Sequence, residues 1–233
     1  MLKLITWSTQ NARKISIMLA ACQLDYEIEW LNIEKDEQHQ PSFKALNPNG
    51  KIPVLIDTDL VNEQGQVEPI FESAAILLYL AEKTGKFLSE QPAQRMTTVK
   101  WLFWQAANLG PVLGNFSHFA GAAVKDAKHL NAYLAKTRAP KVDEYAIQRF
   151  TQESFRLLGV LNQQLENKDF IAGVVSIADF ACYPWLESAW FGLQGINPEL
   201  NNQFNNVSEW MVRMKGVTGV EEGMEKLAWG VAG

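Results

Sequence analysis

Two short segments of the chain place polar groups where a small peptide could be bound. Residues 49–55 form a turn that leads into an apolar run, and residues 71–76 end a second run at Glu72 and Ser73, where a helix is predicted to start. Free N–H groups at a helix N-terminus attract anions. Ser73 could therefore hydrogen-bond a carboxylate while Glu72 accepts from an ammonium group, as an α-amino-acid head group requires. An ordinary helix cap accounts for the same two residues equally well.

Pro53 lies at the first position of a predicted edge strand, where a proline is tolerated because its nitrogen donates no ladder bond. If the Ile52–Pro53 peptide bond were cis, the backbone of Ile52 or Val54 would face solvent, and a ligand peptide could pair there as an added strand. From the residue type alone a trans bond is expected, since only about 5% of X–Pro bonds are cis.

A third polar group precedes the first predicted helix, where Ser8 and Thr9 are followed by Asn11 as the predicted cap. A hydroxyl or amide donor and the helix dipole together lower the pKa of a nearby thiol, because both stabilise the thiolate. Arg13 and Lys14 add positive charge. For any one of these residues, capping alone is the simpler interpretation.

Cys22 and Cys182 are far apart in sequence and have neither Cys-x-x-Cys nor metal-ligand spacing. Both fall on apolar faces of predicted helices, so we interpret them as small buried hydrophobic residues. We therefore expect no metal site, and any reactive thiol would come mainly from a ligand.

Composition excludes several classes of partner. The 233 residues are 47% hydrophobic and 20% charged, the net charge is −5 and the pI is near 5.3. An acidic chain without a basic run longer than two residues argues against binding to nucleic acid or to an anionic membrane. The N-terminus lacks signal-peptide features, and no apolar stretch approaches ~18 residues. We therefore expect a cytoplasmic protein.

The predicted elements alternate in the first third of the chain and are helical afterwards. Strands are predicted at residues 2–7, 26–33, 53–58 and 68–71, with helices up to Cys22 and from Ser73 to Lys83, the second ended by Gly85. This β-α-β, then β-β-α order is the thioredoxin-like arrangement. From Gln94 onward the apolar residues recur with a period of about 3.6 residues, as in helices. Helices are therefore predicted at 94–110, 142–166, 176–191 and 207–214.

These patterns predict two domains: 1–84, α/β and thioredoxin-like, and 94–233, all-α, joined by a linker at 85–93. Ser176 and Asp179 have the spacing of a capping box, which we interpret as a stabilising helix start. Residues 121–144 are predicted to be a long insert, either a wall of the site or a solvated loop.

The order of these segments resembles the glutathione transferase family over nearly the whole chain. The resemblance rests on residues 47–53, 71–80 and 176–179. A closer resemblance is to the bacterial nu class, the glutathione-dependent disulfide-bond oxidoreductases. It rests on residues 101–105 and 110–114, followed by His118 and Phe119. This class is related to a yeast nitrogen regulator. The resemblance implies glutathione as substrate, a homodimer and no metal.

The resemblance also implies roles for individual residues. Thr9 and Asn11 would hydrogen-bond the glutathione sulfur. Relatives have Thr-Pro-Asn-Gly in this turn, whereas this chain has Gln10 in place of the proline and Ala12 in place of the glycine. Ser8 could add a further hydroxyl. Ile52, beside a cis Pro53, would hold the cysteinyl unit of the peptide. Glu72 and Ser73 would hold its γ-glutamyl head. Gln38 and Lys51 would face its glycyl carboxylate, and Arg149 would reach the site across the dimer.

The activity that this resemblance implies is reduction of a small disulfide by bound glutathione thiolate, without a catalytic protein cysteine. Two alternatives stay open. One is a conventional glutathione S-transferase that acts on electrophiles, and the other is a non-enzymatic module that senses glutathione or binds a protein.

Overall fold

The computed structural model describes residues 1–124 and 132–228, except for the side chains of residues 132–134. The chain divides into two units: residues 1–89 together with a C-terminal segment from Lys215, and residues 90–214. The predicted insert at 121–144 lies partly outside the described residues, since 125–131 are not among them.

The first unit is built on a sheet of β1 (Leu2–Thr6), β2 (Tyr26–Trp30), β3 (Val54–Asp57) and β4 (Ile70–Phe71), in the order β2-β1-β3-β4. The strands β1 and β2 are parallel, whereas β3 is antiparallel to both β1 and β4. The register is Leu4 opposite Leu55, and Leu55 opposite Ile70. Leu4 and Leu55 are fully buried, as expected for central strands covered by helices. The predicted thioredoxin-like domain is confirmed.

Three helices accompany the sheet in this part of the chain: α1 (Gln10–Cys22), α2 (Pro41–Leu46) and α3 (Ser73–Thr84). Their apolar faces bury Ile15, Met18 and Ile76 completely. Gly85 ends α3 with φ +68°, a left-handed conformation that glycine adopts without steric cost. The predicted stop at this glycine is confirmed.

The predicted second strand was too long. It ends at Trp30, and residues Ile33–Lys35 form a 3₁₀ turn instead. The side chain of Asn32 accepts from the amides of Glu34 and Lys35. This local bond competes with the strand ladder, and apolar content alone did not indicate it.

Asp57 ends β3 as a fully buried carboxylate with several donors around it. Tyr79 Oη donates to Oδ2 at 2.7 Å, Lys83 Nζ lies 2.7 Å from the same oxygen, and the Asp59 amide donates to Oδ1. Burial by itself would raise the pKa of Asp57, but these hydrogen bonds outweigh it and hold the pKa below its usual value. Burial, followed by the bond to Asp57, raises the pKa of Tyr79 to about 12.

Tyr79→Phe is expected to lower the free energy of unfolding at neutral pH by about 1.5–3 kcal/mol, because it removes a hydrogen bond to a charged acceptor. The interactions that lower the pKa of Asp57 in the folded protein stabilise it at pH values above about 3.9, the pKa of an aspartate in the unfolded chain. This stabilisation is lost as the pH falls through the folded-state pKa of Asp57. The variant raises that folded pKa, so its acid unfolding should begin at higher pH. Urea titrations at successive pH values measure both effects. Tyr145→Phe, at a side chain 73% exposed, should change neither.

The C-terminal segment packs on α1 within the first unit. Its helix α11 (Val220–Lys226) approaches the α1 backbone closely at Gly223. A Cβ at Gly223 would lie 2.4 Å from Ile17 Cα, and one at Gly219 would lie 2.3 Å from Ala21 N. Only glycine permits this approach.

The second unit is helical throughout its described residues. Its helices are α4 (Pro92–Trp104), α5 (Gly110–Gly121), α6 (Ala132–Thr137), α7 (Glu144–Gln164), α8 (Ile177–Ile196), α9 (Leu200–Gln203) and α10 (Asn205–Lys215). The predicted all-α architecture is confirmed. No helix among the described residues is both long and apolar enough to cross a membrane.

The predicted end of a helix at residue 110 was wrong. A π-helical turn, Gln105–Leu109, joins α4 directly to α5, which continues to Gly121. Pro111 stands in the first turn of α5, where its missing N–H is tolerated. The π turn accommodates the proline, so the helix does not end there.

The predicted capping box at the start of α8 is confirmed. Asp179 is fully buried and accepts hydrogen bonds from the amide and hydroxyl of Ser176, from the Ile171 amide and from Trp210 Nε1, all at 2.9–3.0 Å. Burial raises the pKa of Asp179 even though these four donors act against it. The carboxylate ties α8 to α10 and to the turn before α8.

Candidate active site

Three loops meet at one end of the sheet. Val54, at the start of β3, pairs with Ile5 near the end of β1 and with Phe71 at the end of β4. Because β3 runs antiparallel to its two neighbours, the residues after β1, before β3 and after β4 share this end. The segments that begin at Ser8, end at Pro53 and begin at Glu72 are therefore neighbours in space.

The loop after β1 ends at the start of α1. Thr9 is the N-cap, and its Oγ1 accepts from the Ala12 amide at 3.3 Å. Asn11 lies in the first turn, so the prediction that Asn11 caps this helix was wrong. As an acceptor, the Thr9 hydroxyl keeps its own proton for donation to a further group. The threonine hydroxyl thus lies at the positive end of α1, and Asn11 follows in the first turn of the same helix.

Ser8 does not contribute the extra exposed hydroxyl that its sequence position suggested. The side chain is 1% exposed, and Oγ donates to the Ala228 carbonyl at 3.1 Å. Arg13 is also buried, and its Nε donates to the Leu227 carbonyl. Both residues are directed towards the C-terminal segment.

The loop before β3 is held in shape by Asn47, which is nearly fully buried. Its Nδ2 donates to the Lys51 carbonyl at 2.6 Å, and its carbonyl accepts from the Gly50 amide. Gly50 has φ +63°. The Ile52–Pro53 peptide bond is cis, as the family resemblance implied and contrary to the expectation from residue type alone. In the described part of the chain, no hydrogen bond engages the Ile52 amide or carbonyl.

Gln38 approaches this turn from a 3₁₀ turn at Glu37–His39. Its carbonyl oxygen lies 3.2 Å from the position that a Cβ on Gly50 would take, so the two turns are close to each other. Its side-chain Oε1 is buried without a hydrogen-bond partner among the described residues. Lys51, one residue beyond Gly50, is exposed. Gln38 is therefore close to the residue that precedes Lys51.

The loop after β4 turns sharply at Glu72. This residue is the N-cap of α3 with φ +68° and ψ 109°, a costly conformation for a residue with a side chain. Its carboxylate is exposed and makes no capping bond to the first turn of α3. Such strain is typical of functional sites, where the backbone presents a particular group.

Lys14 connects α1 to this loop, a contact that its position in the sequence did not indicate. Its side chain is 2% exposed, and Nζ donates to Ser73 Oγ at 3.2 Å. Ser73 is itself buried. Since its oxygen accepts from the ammonium, the Ser73 hydroxyl proton is directed elsewhere. Lys14 was recognised in the sequence only as nearby positive charge.

Arg149 belongs to the second unit, on α7, where it is exposed. Its charge contributes to lowering the pKa of Glu153, after the larger contribution of the Arg156 hydrogen bond. Its predicted role across a dimer stays a prediction.

The two cysteines are buried, as predicted. Burial raises the pKa of the Cys22 thiol, whose Sγ lies 3.6 Å from Thr84 Oγ1. A thiol of raised pKa is a poor nucleophile at neutral pH. Among residues 1–124 and 132–228, no group of His, Cys, Asp and Glu side chains is placed to hold a metal ion.

The described residues form a thioredoxin-like unit and a helical unit, and the polar residues of three loops lie at one end of the sheet of the first unit. Two family models match the chain: the glutathione S-transferase N-terminal domain at residues 10–83 and the C-terminal domain at residues 144–213. The chain therefore belongs to the glutathione S-transferase family.

Similar proteins agree with the nu-like resemblance. The chain is 42% identical to the disulfide-bond oxidoreductase YfcG of Escherichia coli K12 over 183 residues, which are 78% of this chain and 77% of that protein. A glutathione transferase from Burkholderia graminis, solved with two glutathione molecules per subunit, has a TM-score of 0.81 and 32% identity over 96% of this chain and 87% of its own. A glutathione transferase from Pseudomonas putida, solved with one glutathione disulfide per subunit, has a TM-score of 0.81 and 34% identity over 96% of this chain and 90% of its own.

Proposed function

We propose that this protein reduces small disulfides with glutathione, whose thiolate is held at the N-terminus of α1. The observation that carries this proposal is the meeting of three loops at one end of the sheet, set by Ile5, Val54 and Phe71. That arrangement offers donors for a sulfur, an unpaired backbone edge and a polar helix start within one site. The similar structures solved with glutathione or its disulfide support the choice of ligand.

Each part of the peptide has a proposed partner. Thr9 and Asn11 would donate to the sulfur, since the Thr9 oxygen already accepts from Ala12 and its proton is available for donation. The cysteinyl backbone would pair with Ile52 beside Pro53 as an added strand. In the γ-glutamyl head, the ammonium would bind the Glu72 carboxylate, and the carboxylate would accept from the Ser73 hydroxyl.

The remaining residues would bind the glycyl end. Lys51 would attract its carboxylate. The Gln38 Nε2 group lies 3.3 Å from His39 Nε2, and an amide nitrogen carries two hydrogens, so Gln38 could donate one of them to the same carboxylate. We further propose a homodimer in which Arg149 of one subunit reaches the site of the other. Such a reductase would act in the cytoplasm, where glutathione is largely reduced.

The reaction balances with two glutathione molecules. The first thiolate attacks one sulfur of the substrate disulfide, the S–S bond breaks, and one product thiolate leaves and takes up a proton. A mixed disulfide with glutathione remains. The second glutathione thiolate attacks the glutathione sulfur of this mixed disulfide, which releases the other product thiol and forms oxidised glutathione. The substrate gains two electrons, and no protein cysteine takes part.

The proposal is tested by comparing rates on a model disulfide and on a chloronitrobenzene-type electrophile. A disulfide reductase is expected to act much faster on the first, whereas a conventional transferase would show the reverse order. Binding of glutathione without turnover of either substrate would favour a sensing module instead.

The double variant Cys22→Ala with Cys182→Ala separates ligand thiol chemistry from protein thiol chemistry. Both side chains are buried, and the pKa of Cys22 is raised, so the rate on the disulfide should stay within about twofold of the wild-type rate. A loss of activity in the folded variant would contradict a mechanism that uses only glutathione thiols.

A further inference from the structure

The hydroxyl of Ser8 has no place in the proposed binding site, although its residue adjoins Thr9. It is 1% exposed and donates to the Ala228 carbonyl, 220 residues further along the chain. A group so completely covered cannot contact a ligand, but it fixes the position of the turn that contains Thr9.

Within the described residues, Ser8, Arg13 and Ser16 each donate a hydrogen bond to residues 219–228 of the C-terminal segment. Ser16 Oγ donates to the Gly223 carbonyl at 2.6 Å, Arg13 Nε donates to the Leu227 carbonyl at 3.2 Å, and Ser8 Oγ donates to the Ala228 carbonyl at 3.1 Å. From one bond to the next, the donor's residue number falls from 16 to 8 while the acceptor's residue number rises from 223 to 228. Residues 219–228 therefore run antiparallel to α1, and Ala228 lies against the turn before that helix.

The contact is close as well as hydrogen-bonded. Gly219 and Gly223 allow the segment's backbone to touch that of α1, where a Cβ would overlap Ala21 N and Ile17 Cα. Arg13 also places a cationic group at the C-terminal end of α11, where carbonyl oxygens carry partial negative charge. The segment is thus held along the length of α1 and can act as a rigid support.

We propose that the C-terminal segment is a positioning element for the thiolate site, acting through the hydrogen bond from Ser8 to Ala228. This inference rests on the proposed function, because it concerns the donors that meet the glutathione sulfur. Stabilisation of a thiolate falls steeply when a donor moves out of hydrogen-bond range. Ser8 precedes Thr9 directly, so anchoring Ser8 holds the Thr9 hydroxyl and the first N–H groups of α1 at a fixed distance from the sulfur.

A matched pair of serines tests this role. Ser8→Ala and Ser16→Ala each remove hydroxyl bonds to the same segment, but Ser16 lies about two helical turns further from the turn that contains Thr9. The readout is the pKa of the bound glutathione thiol, followed by thiolate ultraviolet absorbance across pH, together with kcat, KM and the unfolding midpoint.

Ser8→Ala is expected to raise the bound thiol pKa by about one unit and to lower kcat at neutral pH about tenfold, with KM within about twofold. Ser16→Ala should lower the unfolding midpoint at least as much, because its bond is shorter and fully buried, yet leave the thiol pKa unchanged. Equal pKa shifts in the two variants, or none in Ser8→Ala, would overturn the proposal.

A second variant removes the acceptor instead of the donor. In a chain that ends at Leu227, the Ala228 carbonyl is absent, and Ser8→Ala should then cause no further rise in the thiol pKa. Fully additive shifts would show that Ser8 acts by another route. The outcome is separable from the proposed function itself, which fails if the wild-type protein does not lower the thiol pKa of glutathione at all.

Discussion

Replacement of Asn11 by alanine is expected to reduce turnover at neutral pH by about 10- to 100-fold while glutathione binding is largely kept. A hydrogen bond to a charged group contributes about 1.5–3 kcal/mol, which corresponds to about one to two units in the pKa of the bound thiol. The variant keeps the Thr9 cap and its bond to Ala12, so the fold of α1 should persist. Turnover and the thiol pKa are measured on the same preparation.

The loss in Asn11→Ala should depend on pH. Turnover falls because less of the bound glutathione is thiolate, so raising the pH above the new pKa should restore most of the rate. Asn202→Ala is a suitable control, since this exposed side chain bonds only Glu199 on the second unit among the described residues. Full activity of Asn11→Ala near neutral pH would exclude Asn11 from the thiolate site.

Replacement of Gly223 by alanine is expected to lower the free energy of unfolding by about 3 kcal/mol, at the upper end of the usual cost of overpacking. The new Cβ would stand 2.4 Å from Ile17 Cα and 2.5 Å from Ile17 N. These are backbone atoms of a buried helix, so relief requires α11 to move away from α1. The bond from Ser16 to the Gly223 carbonyl is then weakened as well.

Gly195→Ala provides the matched control for this prediction. Gly195 lies in α8, and a Cβ there would meet no atom within 4 Å among the described residues. Alanine has the higher helix propensity, so this variant should be neutral or up to about 1 kcal/mol more stable. Urea denaturation of both variants measures the difference. A Gly223→Ala protein as stable as the wild type would contradict the close packing of α11 on α1.

Local patterns in the sequence were sufficient for most of the elements. An apolar run, polar residues at helix starts and Gly85 located β1, α1 and α3, because each of these signals acts over a few residues. The π turn before α5 was missed, because a Gly-Pro pair is normally a break. Asn32 ended β2 early through a side-chain bond that hydrophobicity does not record.

The site was less predictable, because its geometry depends on distant pairs. The meeting of its loops follows from the pairing of Val54 with Ile5 and Phe71, and strand order cannot be obtained from any one segment. Lys14 reaches Ser73 across 59 residues, and Ser8 reaches Ala228 across 220. In sequence alone, these side chains had no visible partners, so Ser8 was expected at the thiol and Asn11 at the cap.

A structure of the protein in complex with oxidised glutathione would locate the peptide and its sulfur directly. We expect a glutathione sulfur within hydrogen-bond distance of the Thr9 hydroxyl and the Asn11 side chain. We also expect that the cysteinyl backbone pairs with Ile52 and that the γ-glutamyl carboxylate lies at Ser73, whose oxygen accepts from Lys14. A peptide bound away from this end of the sheet, or one whose sulfur contacts neither Thr9 nor Asn11, would contradict the account.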